Sequence, residues 1–199
     1  MPRGRRSVLA VLAVLAVLVV LSAGCSNTPG EGSDQPLEGT RTEGLGSARI
    51  CMPWDIVPSR QATWAFEGTS NRGTGTIVVE EIDLGSSRGV RMIGARLLDP
   101  SAPIENDYVQ ADGSVSFTVA DGWPPTDPDV AAWFAPAVSQ PLVGARIPAD
   151  PERYWHFALG FEVSPGARVE PIGIVYRDEQ GDRYRWQGND VMTIGDPGC

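Results

Sequence analysis

A single histidine, His156, stands in the 199-residue chain, so any Ser-His-Asp or Cys-His relay would have to run through it. Gly85-Ser86-Ser87-Arg88-Gly89 has the glycine spacing of a nucleophile elbow around Ser87, but it reads as a turn between two strands and not as the strand-to-helix turn that exposes such a serine. His156 also alternates with Trp155, Phe157, Leu159, Phe161 and Val163, which puts it on the opposite face of its strand from the large apolar side chains. An exposed or groove-lining position is expected. The neighbouring carboxylates Glu80 and Glu81 are the nearest thing to an acid and base pair, but successive strand residues point to opposite faces, and an envelope-polymer hydrolase needs both carboxylates on one site. Met52, Met92 and Met192 with His156 offer the soft donors that copper takes, without any H-x-M or M-x-x-M spacing. One imidazole and two oxidisable cysteines serve zinc poorly. Asp127-Pro128-Asp129 and Asp178 to Asp182 lack the spaced carboxylates of a calcium loop and read as turn chemistry. The chain has no lysine, which removes Schiff-base chemistry. No cofactor, metal or catalytic residue is expected.

The three cysteines, Cys25, Cys51 and Cys199, carry more information. Met1 to Arg6 is positive, Val8 to Leu21 is an unbroken run of 14 Val, Leu and Ala residues, and Ser22-Ala23-Gly24 leads to Cys25. Positive, apolar, then small is the order of an export signal. As a helix the run measures roughly 21 Å, short of a bilayer span. Leu21-Ser22-Ala23-Gly24-Cys25 resembles the lipobox of bacterial lipoproteins, with Ser22 where an aliphatic residue is usual. The Arg, Ala, Gly and Pro bias suits a GC-rich genome, and the domain that follows resembles actinobacterial lipoproteins in its general look. The resemblance implies cleavage before Cys25 and a diacylglycerol on its thiol, whose acyl chains, such as palmitate, anchor the chain at the outer face of the cell membrane. Arg5-Arg6-Ser7-Val8-Leu9 loosely fits a twin-arginine signal, but so apolar a core favours the general secretory route. With Cys25 acylated, Cys51 and Cys199 remain, and in an oxidising compartment they are expected to pair as a disulfide. The bond closes almost the whole domain, worth about 5 kcal/mol by chain entropy, and needs the first and last strands side by side.

Three segments follow: a signal over 1–24, a lipidated cysteine and flexible tether over 25–49, rich in Gly, Ser, Thr, Pro and Glu, and one domain over 50–199. Strands are expected where apolar and polar residues alternate: Gln61–Glu67, Thr74–Leu84, Val90–Leu98, Tyr154–Val163, Ile172–Arg177, Arg183–Gln187 and Asp190–Ile194. A short one is read at Tyr108–Gln110, and Asp112-Gly113 signals a hairpin. Between 121 and 151 seven prolines interrupt the pattern. Asp127 can cap a helical turn beginning at Pro128, with Pro136 ending it. Seven to nine short strands predict an antiparallel, immunoglobulin-like β-sandwich, with a partly open barrel as the alternative.

The formal charge of −9 becomes −12 once Arg3, Arg5 and Arg6 leave with the signal. Such a surface repels phosphate backbones, and no basic patch interleaves with aromatics, so nucleic acid is not an expected partner. The expected function is a membrane-tethered, non-enzymatic binding or scaffolding domain of the cell envelope. The alternative is an enzyme that acts on envelope polymer through carboxylates. Trp123, Trp133 and Phe134, in the Pro-rich crossover, either cap the sandwich or contact an envelope protein or glycan.

Overall fold

The alternation read in Tyr154–Val163 belongs to a longer strand, Asp150–Val169, around which the molecule is built. The computed structural model describes residues 35–39, 49–99 and 119–195. The export signal, Cys25, the strand read at Tyr108–Gln110, the Asp112-Gly113 hairpin and Cys199 lie outside those residues. Within them run β1 (Leu37–Gly39), β2 (Arg49–Met52), β3 (Gln61–Asn71), β4 (Ile77–Asp83), β5 (Arg88–Leu98), β6 (Val119–Asp121), β7 (Ser139–Pro141), β8 (Arg146–Ile147), β9 (Asp150–Val169), β10 (Gly173–Arg177), β11 (Arg183–Gln187) and β12 (Val191–Ile194). One short helix, α1 (Pro128–Ala132), breaks the crossover between β6 and β7. Twelve strands thus stand where seven to nine were expected, the extra ones being pieces of two to four residues that the alternation rule cannot see.

Two sheets form. The larger has the order β1-β3-β9-β12-β2, with β5 and then β7 on the other edge of β9 and β6 beside β3; the smaller has the order β11-β10-β4-β8. Pairing is antiparallel except between β2 and β12, which run parallel. Among the described residues the fold is mostly β, and the sheets close into no barrel. One core joins Trp64, Phe157, Leu159, Phe161 and Val163 from the larger sheet to Ile77, Val79, Ile147, Ile174 and Tyr176 from the smaller. Each fully buried aliphatic or aromatic side chain there contributes roughly 1.5–3 kcal/mol.

Three local features depart from the alternation rule, each for an identifiable reason. In β4 the partner of Tyr176 is Val79 and that of Val175 is Glu81, so Glu80 is an extra residue, a β-bulge. Val79 and Ile82 both reach the core although three apart, and Glu80 and Glu81 both fall on the outer side. Ser70 and Asn71 carry β3 past the expected Gln61–Glu67 span, up to the turn at Arg72 and Gly73. The Asn71 amide donates to the carbonyls of Gly75 and Ile147, both at 2.9 Å, and its oxygen accepts from Gly73 N at 3.0 Å. The turn is therefore organised from inside the strand and follows it.

The third departure is at the amino-terminal edge. Leu37, inside the span read as tether, is 3% exposed and belongs to the core. Its N–H donates to the Tyr176 hydroxyl at 3.2 Å, β1 pairs with Thr69, Ser70 and Asn71, and Glu38 pairs with Arg72 at 2.7 Å. Leu37 is one of only two large apolar residues between Ser26 and Arg49, too few to raise the average but enough to seat the chain. The ordered body begins before residue 50.

Candidate functional site

The Pro-rich crossover folds down onto the outer face of the larger sheet. Asp127 caps α1 by accepting from Asp129 N at 2.9 Å and Val130 N at 3.2 Å, with Pro128 opening the helix. The helix ends at Trp133, before Pro136. Val130, Trp133 and Phe134 then pack with Ala65, Leu98 and Ala158 in a second apolar cluster. Trp133 is 1% exposed and Phe134 9%, so neither offers a ring to a partner, and the contact role read for them does not hold. Trp123 is half-buried. Its indole lies across Gly94 and Gly160, which face each other in register on β5 and β9; a Cβ on either would come within 2.2 Å of the ring. Phe134 meets Trp123 edge-on at 5.3 Å.

The same covering changes the place of His156. It is 4% exposed, opposite Leu98 in register on β5, and not at the exposed or groove-lining position read from alternation. The small residues Ala158 and Gly160 on that face let the crossover lie flat, so β9 is buried on both sides from Trp155 to Phe161. The carboxylates are likewise engaged. Glu80 takes Arg177 at 3.1 Å and Arg183 at 2.8 Å. Asp83 takes Arg185 at 2.6 Å; the Gly85 N–H and then the Arg185 guanidinium hold its carboxyl below the usual carboxylate range, against a smaller desolvation effect. Asp178 receives Asp182 N at 2.9 Å and the Tyr184 hydroxyl at 3.1 Å, the turn chemistry expected of that hairpin. No group of three or more metal-binding side chains gathers among the described residues.

Cys51 lies in β2, in register with Thr193 of β12. The Gly195 N–H donates to the Met52 carbonyl at 2.8 Å, so the chain leaves for its last residues directly beside Cys51.

An open groove of about 440 Å³ lies where β9 changes partners, lined by Arg60, Gly89, Val90, Arg91, Glu162, Val163 and Ser164. Val90 pairs with Val163, but Arg88 pairs with Arg168, so 164–167 loop out opposite the single residue Gly89. A Cβ at Gly89 would meet Ala167 Cα at 3.1 Å, which keeps the looped segment tight against β5. On the facing side Arg60 has φ 59°, the sole non-glycine residue with positive φ among those described. Its setting fixes that conformation from every direction. Arg60 N donates to the Val57 carbonyl at 2.9 Å, and Val163 N donates to the Arg60 carbonyl at 3.0 Å. Asp121 Oδ1 receives both Ser59 N at 3.1 Å and Ser59 Oγ at 2.7 Å. Arg91 pairs with Glu162 in the groove, and beyond it Arg168 pairs with Glu170, whose carboxyl that hydrogen bond holds below the usual range.

None of these groove residues stood out in the sequence. The available signal was Pro165-Gly166 breaking the strongest strand just past Val163, together with an arginine closing the Val57-Pro58-Ser59 turn. The chain matches no protein-family model, and no curated protein is significantly similar to it.

Proposed function

We propose that the protein is a bacterial envelope lipoprotein, cleaved before Cys25 and acylated there, whose β domain binds a ligand without transforming it. The observation that carries this reading is where the chain enters the domain relative to the groove. Leu37 is in register with Asn71, and Asn71 with Asp150 at the start of β9. The groove residues of β9 are Glu162 to Ser164, twelve residues on, or roughly 40 Å of strand path at about 3.3 Å per residue. Twelve residue steps from Cys25 to Leu37 reach at most about 40 Å. A lipid on Cys25 therefore draws the β1 end toward the membrane and turns the groove outward.

The disulfide between Cys51 and Cys199 belongs to this proposal, supported by the neighbouring β2 and β12 and by the Gly195 to Met52 hydrogen bond. So does an immunoglobulin-like arrangement, supported by two packed, mainly antiparallel sheets between which the chain passes from β3 to β4, β4 to β5, β7 to β8, β8 to β9, β9 to β10 and β11 to β12. The eight strands of the larger sheet and its parallel β2–β12 pair are variations on that plan. In cells fed labelled palmitate, the wild-type chain should carry label and sediment with membranes. Cys25→Ala should lose both properties. An unlabelled wild-type chain, or a Cys25→Ala chain that stays equally on the membrane, would overturn the anchor.

A further inference from the structure

Resting on the tethered-binding reading above, the geometry points to the Arg60 groove as a site for a ligand carboxylate, with Arg60 as the anchoring residue. The first reason is charge left open. Arg72, Arg91, Arg153, Arg168, Arg177, Arg183 and Arg185 each pair with a carboxylate. Arg49, Arg60, Arg88, Arg96 and Arg146 make no such pair among the described residues, and of these five only Arg60 lines the groove.

The second reason is the backbone. A turn that needs φ near +59° is made at no steric cost by Gly and at little cost by Asn. A long guanidinium side chain there is strained, and strain held in place by surrounding bonds is a mark of function. The Val57, Val163 and Asp121 bonds supply that hold without involving the guanidinium. The turn therefore does not account for the arginine, whereas a ligand does.

The lining selects the ligand's charge. Arg60 and Arg91 against Glu162 leave one net positive charge. A monoanion balances it; the second charge of a phosphate dianion would face Glu162 and the field of a strongly negative chain. The planar fork of an arginine presents two N–H groups matched to the two oxygens of a carboxylate, and Ser164 adds a hydroxyl at the looped wall. The carboxylate can come from a free small acid or from the end of a peptide.

The test is an NMR titration of the full-length protein in detergent micelles. N-acetylglycine should give saturable shifts confined to Arg60, Gly89 to Arg91 and Glu162 to Ser164. N-acetylglycinamide and inorganic phosphate should give none at the same concentrations. Arg60→Gly should weaken N-acetylglycine binding at least about tenfold while keeping or raising the thermal midpoint, and Arg60→Asn, also at ease in that backbone region, should do the same. A short acetylated peptide with a free carboxyl end binding more tightly than N-acetylglycine identifies a chain terminus as the source; equal binding identifies a free acid. The proposal is overturned if no carboxylate saturates the shifts, if the neutral amide or phosphate does so equally, or if both Arg60 variants retain wild-type affinity. The intact mass of the same preparation reports acylation of Cys25 separately, so an acylated protein that ignores carboxylates sinks this site and leaves the anchor standing.

Discussion

Gly94 and Gly160 face each other across β5 and β9, and their missing side chains make the bed on which Trp123 lies. Gly160→Ala should cost about 1–3 kcal/mol through overpacking, and Trp123→Ala about 2–4 kcal/mol through the contacts it removes. The double variant should cost clearly less than the sum, because the new methyl occupies space the ring has left. Urea denaturation of all four forms checks this, and strict additivity would mean that the ring does not rest there. Asp83 makes a second prediction at this scale. Its carboxyl is held below the ordinary value by the Gly85 N–H and by Arg185, so its stabilising effect is present above about pH 4 and is lost as pH falls through the lowered value. Asp83→Asn should therefore flatten the acid limb of a stability profile, its cost shrinking as pH falls through that lowered value. The effect is modest, because the pair is about a third exposed to screening solvent. At this scale alternation placed Trp155, Phe157, Leu159, Phe161 and Val163 in the core, where they lie. It misplaced His156, because alternation reports which residues share a face and says nothing of what covers it. The pairing of Gly94 with Gly160 was invisible for the same kind of reason, since register between β5 and β9 is a tertiary fact.

At the scale of elements, the least expected strand is β1. It is three residues long, yet it brings Leu37 into the core and its N–H to the Tyr176 hydroxyl. Leu37→Ala should destabilise the domain by about 2–4 kcal/mol and speed amide exchange in β1 and along the Thr69–Asn71 edge of β3. Loss below 0.5 kcal/mol by thermal or chemical denaturation would mean that β1 is an ornament and the body begins later. Composition averages missed this element because one leucine among glycines, serines and acids does not lift a window above the tether level. The start of α1 was legible, since Asp127 before Pro128 is a local signal and its capping bonds are local, although the helix stops at Ala132, short of Pro136. The bulge at Glu80 was not, because it is set by the register of β4 against β10.

At the scale of the whole molecule, an all-β body could be read from Gly, Pro and alternating strands, whereas the division into two sheets depends on strand pairings far apart in sequence. The groove at Arg60 is the clearest case: it requires Val57–Arg60, Gly89–Arg91 and Glu162–Ser164 to meet, and no local pattern announces that meeting. The proposed anchor and disulfide, by contrast, rest on three cysteines and the residues before the first of them. A polypeptide held by lipid at one end, with its binding groove turned away from the bilayer, requires that Cys25 be the acylated mature terminus. Intact and peptide mass spectrometry of the native protein tests this most directly. The expected result is an amino-terminus at Cys25 bearing acyl groups and a peptide pair joined through Cys51 and Cys199. An unacylated terminus at any residue, or free thiols at both Cys51 and Cys199, would contradict it.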